Sequence, residues 1–575
     1  MIKLFRFLKP YRLSIALVFL LIFLQSLANL YLPTQMADIV DHGILKSDTG
    51  YILRVGGLML LVTIGGTLCA IAASFFSSRT ATGFGRIIRG KIFAHVENFS
   101  LNEFDKFGSA SLITRTTNDT TQVQQVLIIM LSMMVGAPLM GIGGLVLAVT
   151  QSPQLSWILL VVIPVIVAVI LLIMTQAIPL FRIMQVKIDK LNLILDEGLS
   201  GVRVIRAFNR IDHENRRFDL ANLDLTDTAV KVNRIVAIMM PGMMLIMNLA
   251  TIAIIWFGGV LVGSGSIPPG TLISFPQYAM QIMFSLLMVS MMFVMLPRAA
   301  ASAVRINEVL AVEPEIKDAR QVTDREAQHG YVEFDDVTFS YPGAEEPALC
   351  GISFQAGPGE VTAIIGGTGS GKSTLVNLIP RFYDVDSGRV LVDGVDVRDM
   401  SQEHLRSKIG FVPQKAVLFS GPIGENIRYG KADATEEEIE HAADVAQASE
   451  FITEMKEGFA SVIAQGGANV SGGQKQRLSI ARALVRRPEI YVFDDSFSAL
   501  DFKTDARLRS ALKKETLDAT VLIVAQRVST VMDADRIIVL DDGRVAGIGN
   551  HRELMQTSEV YREIVSSQLS LEEIA

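Results

Sequence analysis

Nine consecutive residues have the types and spacing of a phosphate-binding loop. They are Gly366, Gly367, Thr368, Gly369, Ser370, Gly371, Lys372, Ser373 and Thr374. The mostly apolar residues 361–365 before them are typical of a strand, so the pattern G-x-x-x-x-G-K-[ST] stands between a predicted strand and a predicted helix. Glycines let backbone N–H groups approach phosphate oxygens, the lysine reaches the β and γ phosphates, and the serine hydroxyl is a ligand for Mg²⁺. The sequence therefore predicts a site for ATP and Mg²⁺.

An acidic pair follows a second predicted strand. Residues 490–493 are apolar, and Asp494 and Asp495 come directly after them. A carboxylate at the end of such a strand suits the Mg²⁺ of a phosphoryl-transfer site. We expect Asp494 to have this role.

A third candidate anion site lies between these two motifs. Its residues are Val470, Ser471, Gly472, Gly473 and Gln474. A serine and two glycines at the start of a helix present backbone N–H groups and the positive end of the helix dipole to an anion. By itself the pentapeptide fits an ordinary helix cap better. Its position between the phosphate loop and Asp494 favours the anion-binding interpretation.

The chain that must position these motifs has two unlike parts. Of its 575 residues, 50% are hydrophobic and only 19% are charged, whereas soluble domains carry about 25% charged residues. Residues 1–320 have a net charge of +7 and residues 321–575 have −14. We predict an α-helical polytopic membrane domain over residues 1–315, a linker over 316–330 and an α/β P-loop nucleotide-binding domain over 331–575.

Charge-free stretches predict six transmembrane helices. No charged residue lies between Arg12 and Asp38 or between Arg54 and Arg79, and two longer gaps are each interrupted by turn-forming residues near the middle. A helix needs about 20 residues to cross a hydrocarbon core of about 30 Å. The predicted spans cover approximately residues 13–36, 55–78, 126–150, 156–180, 238–262 and 272–297.

Basic residues predict the orientation of these helices. Arg and Lys precede the first span and are frequent in the connections 79–119 and 182–234, whereas the short loops after spans three and five are uncharged. The positive-inside rule places the N-terminus, both connections and the second half in the cytoplasm, with the spans in the inner (cytoplasmic) membrane. The first apolar run is too long for a cleaved signal peptide. Structureless loops as long as the two connections are uncommon, so we expect helical extensions.

The polar residues within the spans are amides and hydroxyls. The amides include Gln25, Asn29, Gln176, Asn248, Gln277 and Gln281. No span contains an ionisable group of the kind that marks ion or proton pathways. Of the 24 methionines, 11 lie between Arg234 and Arg298; methionine is common on adaptable binding surfaces, and lipid-facing packing explains this enrichment equally well.

These motifs resemble those of the ATP-binding cassette (ABC) transporters, specifically exporter half-transporters whose membrane domain precedes the nucleotide-binding domain. The resemblance covers nearly the whole chain. Residues 470–474 resemble the family's signature motif, with Val470 in place of the usual leucine. Tyr341 matches the aromatic residue that stacks on adenine, and Gln414 and Asp501 match the Q-loop glutamine and the D-loop aspartate.

The resemblance also implies roles for residues around the phosphates. It places Mg²⁺ on Ser373, Gln414 and Asp494, and catalytic positions at Asp495, Gln526, Gln414 and Asp501. Residues 113–119 resemble the first cytoplasmic extension of these exporters. Residues 201–208 resemble the second coupling region, which in the family docks on the partner's nucleotide-binding domain.

Three features depart from the family pattern. Asp495 stands where the family has the glutamate that activates water; its carboxylate is retracted by about 1.5 Å, although a general base must lie within about 2.6–3.2 Å of its proton. Gln526 replaces the switch histidine and can donate a hydrogen bond, but it cannot carry the imidazole's charge or proton. Residues 463–467 differ from the family's usual Val-Gly-Glu-Arg-Gly.

Two interpretations of these departures are open. One is neutral drift in a slow but functional site. We favour the other, because the phosphate loop and the signature are intact. In ABC dimers each ATP lies between the phosphate loop of one chain and the signature of the other. This chain would bind ATP and hydrolyse it slowly, and its signature would complete the site of a non-identical partner with intact Glu and His. This combination resembles one subunit of bacterial heterodimeric multidrug exporters.

The sequence therefore predicts a subunit of an ATP-driven exporter for apolar or amphiphilic compounds, multidrug or lipid-like. The alternatives are a homodimeric exporter and a non-transporting ATP-gated channel or regulatory membrane protein. Expected partners are a second half-transporter chain, membrane lipid and the transported compound. Six spans exclude the family's soluble ATPases of DNA repair and translation, and nucleic acid is not an expected partner.

Overall fold

The computed structural model describes residues 1, 3–318 and 329–568. Most of the predicted linker, residues 319–328, lies outside the described residues. The chain divides into two compact units: Met1–Glu97 with Ser109–Val312, and Asn98–Gly108 with Glu313–Ala575. The exact domain boundaries stay predictions.

The first unit is helical. Its helices, together with α3 of the second unit, are α1 (Arg12–Asp38), α2 (Thr49–Val96), α3 (Leu101–Phe107), α4 (Ser109–Thr114), α5 (Thr120–Gln151), α6 (Ser156–Ser200), α7 (Val202–Ala207), α8 (Ile211–Ala237), α9 (Met239–Gly263) and α10 (Thr271–Ala311). Six helical segments of the described chain are long and apolar enough to cross a membrane. The predicted six-span architecture is confirmed.

The long polar connections are helical, as predicted. Helix α2 continues without interruption to Val96, and α6 continues to Ser200. At 1.5 Å per residue, the 48 residues of α2 extend well beyond the thickness of a hydrocarbon core. Helices α5 and α10 are joined near their polar ends, where Asp119 is buried and accepts hydrogen bonds from Ser302 (2.8 Å) and Arg305 Nε (2.7 Å).

The second unit has a parallel sheet at its centre. Its strands are β1 (Val332–Phe339), β2 (Leu349–Ala356), β3 (Val361–Gly366), β4 (Ser387–Val392), β5 (Val395–Asp396), β6 (Ile409–Val412), β7 (Gly421–Pro422), β8 (Val462–Ile463), β9 (Ile490–Asp494), β10 (Thr520–Val524), β11 (Arg536–Asp541) and β12 (Arg544–Gly549). The main sheet has the order β12-β11-β3-β10-β9-β6, in which only β12 is antiparallel. Every residue of β9 and β10 is buried, as in sheets covered on both faces.

Helices and a second sheet surround this core. The helices are α11 (Lys372–Leu378), α12 (Gln402–Ser407), α13 (Ile423–Arg428), α14 (Glu436–Val445), α15 (Ser449–Glu454), α16 (Gly472–Leu484), α17 (Phe502–Glu515), α18 (Val528–Val531), α19 (His551–Thr557) and α20 (Glu559–Gln568). An antiparallel sheet has the order β2-β1-β4-β5, and β7 pairs with β8. The predicted α/β fold of this unit is confirmed.

The strand order explains how distant motifs meet. Strands β6, β9, β10 and β3 are neighbours and parallel, so their carboxyl ends lie at one edge of the sheet. Gln414 follows β6, Asp494 ends β9, Gln526 follows β10, and the phosphate loop follows β3. The predicted site residues therefore come from four adjacent strand ends.

Asn98–Gly108, which lies within the predicted membrane domain, belongs to the second compact unit. Within residues 98–108, Glu103 is buried and caps α3, because its Oε2 accepts a hydrogen bond from Ser100 N (2.6 Å). Its Oε1 accepts a hydrogen bond from Glu315 N (2.8 Å). Asn102 Nδ2 donates to the Glu315 side chain at 3.0 Å. These contacts join α3 to the chain that enters the nucleotide-binding domain.

Candidate nucleotide site

The phosphate loop has a backbone that only glycine tolerates at key positions. Gly369 and Gly371 have φ values of +86° and +93°. A Cβ on Gly371 would lie 2.8 Å from the carbonyl oxygen of Ala348, and one on Gly366 would lie 2.2 Å from that of Leu540. Helix α11 begins directly after Gly371, so the loop leads into a helix N-terminus, as the motif requires.

Lys372 is held over this loop. Its ammonium donates to the carbonyl oxygens of Gly366 (3.0 Å) and Gly367 (2.6 Å), and the side chain is buried. Burial lowers the pKa of Lys372, and the carboxylates of Asp495 and Asp494 oppose that shift. A poorly hydrated cation beside the loop is well suited to phosphate oxygens.

Ser373 and Asp494 form the predicted metal pair. Ser373 Oγ donates to Asp494 Oδ1 at 2.9 Å, and burial raises the pKa of Asp494. The described residues contain no cluster of three His, Cys, Asp or Glu side chains that could hold a metal. One carboxylate and a hydroxyl fit Mg²⁺, which takes few protein oxygens and completes its shell with water and phosphate oxygens.

Two amide side chains meet on one oxygen of Asp495. Gln526 Nε2 donates to Asp495 Oδ2 at 3.0 Å, and Gln414 Nε2 donates to the same oxygen at 3.3 Å. The carbonyl oxygen of Gln414 remains an acceptor and suits the predicted role as a Mg²⁺ ligand. Asp495 has a left-handed backbone, with φ of +45°, and its N–H donates to the carbonyl of Val524 at 3.0 Å.

Tyr341 lies beside the same loop. Its hydroxyl is 3.0 Å from Thr374 Oγ1 and its ring packs edge-on against Phe339 and Tyr383. The residue is 37% exposed. A fixed, partly exposed aromatic ring is the arrangement that stacking on a base needs.

The signature residues form a separate groove with the D-loop residue. Ser471 caps α16: its Oγ accepts from Gln474 N at 3.3 Å, and Gln474 Oε1 accepts from Ser471 N at 2.8 Å. Asp501 caps α17 by accepting from Thr504 N at 3.0 Å, and this bond lowers the pKa of Asp501.

This groove is distinct from the phosphate loop. It is lined by Ser471, Gly472, Gly473, Arg477, Ala499, Leu500, Asp501 and Thr504, none of which belongs to residues 366–374. Val470 is buried and contributes to the core. The pentapeptide is therefore a helix cap. The helix N-terminus that it caps also lines an open groove, which is compatible with the anion-binding interpretation.

Sequence reasoning missed one residue at the site. Gln568, near the end of the described chain, contacts the backbone of the loop that carries Gln526. Its Nε2 donates to the carbonyl of Gln526 at 2.8 Å, and its Oε1 accepts from Val528 N at 2.9 Å. No motif marks a glutamine in a C-terminal helix 42 residues away.

We expect Gln568→Ala to weaken ATP binding by this chain about fivefold, the equivalent of one hydrogen bond of about 1 kcal/mol. The loop that carries Gln526 would lose both of its fixed backbone contacts to α20. Binding of a fluorescent ATP analogue to the purified protein measures the change. Ser567→Ala is the matched control, because within the described residues Ser567 Oγ donates to the carbonyl of Ile564 in its own helix. Equal affinity in both variants would contradict a positioning role.

Comparison with known proteins agrees with both units. Residues 15–286 match the ABC transporter transmembrane region and residues 349–498 match the ABC transporter family. An uncharacterized ABC transporter ATP-binding protein of Mycobacterium tuberculosis is 44% identical over 97% of each chain. The ATP-dependent lipid A-core flippase of Vibrio vulnificus is 31% identical over 98% of this chain and 96% of its own.

A solved structure agrees in fold. A bacterial Atm1-family ABC exporter with ATP bound superposes with a TM-score of 0.80 at 26% identity, over 97% of this chain and 98% of the other. The described residues include six helices long and apolar enough to cross a membrane, and the same chain carries a phosphate loop and a signature. The chain belongs to the ABC transporters, as an ATP-binding exporter half-transporter in which a transmembrane region is fused to one nucleotide-binding domain.

Proposed function

We propose that this half-transporter is the degenerate-site subunit of a heterodimeric exporter that moves apolar or amphiphilic compounds, multidrug or lipid-like, out across the cytoplasmic membrane. The observation that carries the proposal is the bonding of Asp495 Oδ2 by both Gln414 and Gln526. Asp495 replaces the glutamate that usually activates water, Gln526 replaces the switch histidine, and these two residues are hydrogen-bonded to each other.

This arrangement disfavours water activation on the chain's own ATP. The carboxylate of Asp495 is one methylene shorter than glutamate, and one of its oxygens already accepts from two amides. One of the two amide N–H groups of Gln526 is used on Asp495, and the other can donate to a γ-phosphate but carries no imidazolium charge or proton. Because a positioned general base contributes about 10²–10⁴-fold to a rate, hydrolysis here is slow by a factor of that order.

The same site retains the residues that bind the phosphates, the adenine and Mg²⁺. Backbone N–H groups of residues 366–374 and the ammonium of Lys372 bind the phosphates, and Tyr341 stacks on the adenine. Ser373, Asp494 and Gln414 would hold Mg²⁺, which would supply neutralisation of the phosphate charge. These residues bind and orient nucleotide without requiring turnover.

The signature acts on the second nucleotide. Ser471, Gly472 and Gly473 line an open groove at the N-terminus of α16, where anions are stabilised. In the heterodimer this groove faces the ATP held by the partner's phosphate loop, next to the partner's intact Glu and His. Closure around two ATP molecules favours an outward-open cavity, and hydrolysis at the partner's site resets it.

The substrate class follows from the spans. Within the charge-free gaps that cover the predicted spans, the sequence holds no ionisable group that would coordinate a small ion. The similarity to a protein named for flipping lipid A-core supports an amphiphile. The basic flanks of the spans support a cytoplasmic N-terminus and nucleotide-binding domain.

Purification of the chain from its natural membrane through an affinity tag tests the assembly. We expect a second, non-identical half-transporter in equal amount, and little ATP turnover when this chain is produced by itself. Robust turnover by the isolated chain would favour the homodimer.

Transport in sealed vesicles tests the export activity. Vesicles with the intact complex should move an amphiphilic dye or a labelled lipid against its gradient when ATP is added. A complex that hydrolyses ATP but moves neither compound would favour the channel or regulatory alternative.

A further inference from the structure

The segment before the first span is a 3₁₀ helix, Leu4–Tyr11. Its length of eight residues is unusual, because runs of 3₁₀ helix longer than three or four residues are uncommon. Such a helix has 3.0 residues per turn and rises about 2.0 Å per residue, so residues three apart lie above one another at intervals of about 6 Å. A sequence pattern of period three therefore forms a straight line on its surface.

The sequence of this segment has a period of three. Exposed basic residues recur at every third position: Lys3, Arg6, Lys9 and Arg12. The residues between them are uncharged and mostly apolar, and they make up two further lines: Leu4, Phe7, Pro10 and Leu13, and Phe5, Leu8 and Tyr11. In an α-helix, four residues at this spacing would spread over about half of the circumference. In the 3₁₀ helix the four basic residues form one line, which we call the basic ridge.

The apolar side of the helix is held against the protein. Leu4 is fully buried, and Tyr11 packs on α2 at Gly83, where a Cβ would lie 2.6 Å from Tyr11 Cζ. These contacts fix the rotation of the helix and leave the basic ridge exposed. Leu13 directly follows the ridge, is 88% exposed and begins the charge-free stretch of the first predicted span. The ridge therefore lies where the chain enters the membrane.

The neighbouring sequence does not neutralise the ridge. Residues 1–37 and 49–96 contain no Asp or Glu; they hold the 3₁₀ helix, α2 and all but the last residue of α1. Two further exposed cations, Arg79 and Arg86, lie at helical spacing from Gly83 and so share the face of α2 on which Tyr11 packs. The ridge and these two residues form a surface with uncompensated positive charge.

The guanidinium groups of the ridge contact their own helix. Arg6 lies over the ring of Phe7 at 4.8 Å, and Arg12 Nε donates to the carbonyl of Lys9 at 3.3 Å. A guanidinium has five N–H donors, so most of the donors of Arg12 remain for a ligand. Arginine binds phosphate oxygens in a bidentate manner, and lysine binds them as a point charge.

Apolar surface continues directly from the ridge along α1. Leu13, Leu17 and Leu20 are 88%, 37% and 53% exposed and recur at helical spacing, so they share one face. A ligand that covers both the ridge and this face needs an anionic head and a hydrocarbon tail. Dissolved phosphate would cover only the first of the two.

We infer that the basic ridge is a binding site for the phosphodiester head groups of anionic phospholipids. The basic side chains donate to phosphate oxygens, and the acyl chains lie along the apolar face of α1 that begins at Leu13. With the N-terminus in the cytoplasm, as proposed, the ridge meets the leaflet whose lipids are anionic. The site does not depend on which compound the exporter moves or on which subunit hydrolyses ATP.

Photolabelling of the intact complex in phosphatidylcholine nanodiscs tests this site. The two probes are phosphatidylglycerol and phosphatidylcholine with the same diazirine in one acyl chain, each added in trace amount. We expect phosphatidylglycerol to label residues 13–20 at least about tenfold more than phosphatidylcholine does, since each basic residue contributes about fivefold near anionic lipid. Unlabelled phosphatidylglycerol should compete, whereas dissolved glycerol 3-phosphate should not.

Three variants make the result specific. Arg6→Gln combined with Lys9→Gln should lower the preference for phosphatidylglycerol at least about fivefold. Arg6→Lys combined with Lys9→Arg keeps the charge and should keep the preference. Lys46→Gln is the matched control, because Lys46 is exposed in the loop between α1 and α2, away from the ridge. All of these side chains are exposed, so the thermal unfolding midpoint should not change.

Three outcomes would overturn the site. The first is equal labelling of residues 13–20 by both probes. The second is an unchanged preference in the Arg6→Gln, Lys9→Gln variant, or an equal loss in Lys46→Gln, which would show a general effect of charge. The third is competition by glycerol 3-phosphate, which would show that the ridge binds dissolved phosphate rather than lipid. None of these outcomes bears on ATP turnover or transport, so the export proposal stands or fails separately.

Discussion

Gly472→Glu in this chain should lower the ATP turnover of the assembled exporter about a hundredfold or more. Gly472 is the first residue of α16, and a Cβ there would meet nothing within 4 Å, so the fold accommodates the side chain. The new carboxylate would point into the groove proposed to face the partner's ATP. Two like charges about 4 Å apart repel by about 4 kcal/mol at an interface of intermediate dielectric, which exceeds a hundredfold.

Steady-state turnover of the co-purified complex at saturating ATP measures this effect. Gly472→Gln is the matched control, since it has the same size and no charge. It should retain a much larger share of the activity. Equal turnover in Gly472→Glu and the unmodified complex would show that this groove does not face a working site.

Lys372→Met should weaken nucleotide binding at this chain's own phosphate loop about a hundredfold. Each hydrogen bond from a charged donor is worth about 1.5–3 kcal/mol, and the ammonium would make at least two of them to phosphate oxygens. The folded state should not suffer. Burial lowers the pKa of Lys372, which means that folding disfavours its charged form, and Met removes that charge.

Equilibrium binding of a fluorescent ATP analogue and the thermal unfolding midpoint are the two measurements. The exposed Lys456, changed to Met, is the control and should alter neither. A fall in the unfolding midpoint of Lys372→Met with unchanged ATP affinity would contradict the assigned role. In the complex, this variant should reduce turnover less than Gly472→Glu does.

The predictable part of the site is local in sequence. The phosphate loop, the strand that ends in Asp494 and the cap at Ser471 each depend on the geometry of fewer than about ten residues, so type and spacing suffice. The convergence of these motifs follows from strand order in a parallel sheet. Apolar stretches of sufficient length likewise predict the six spans.

The remaining part depends on side chains that are far apart in the chain. Nothing local predicts that Gln526 and Gln414, 31 and 81 residues from Asp495, donate to the same oxygen. The contact between Gln568 and the backbone of Gln526 is equally remote. The grouping of residues 98–108 with the nucleotide-binding unit depends on Glu103 reaching Glu315 across 212 positions. Such contacts require the tertiary packing itself.

The most direct test of the central claim, that this chain binds ATP but is not the hydrolytic subunit, is the ATP turnover of the native complex with Asp495→Asn. Asparagine has the same shape but cannot act as a base. If the partner's site performs the hydrolysis, the variant should keep at least about half of the normal turnover. A loss of about a hundredfold, the size expected on removal of a working general base, would contradict the account.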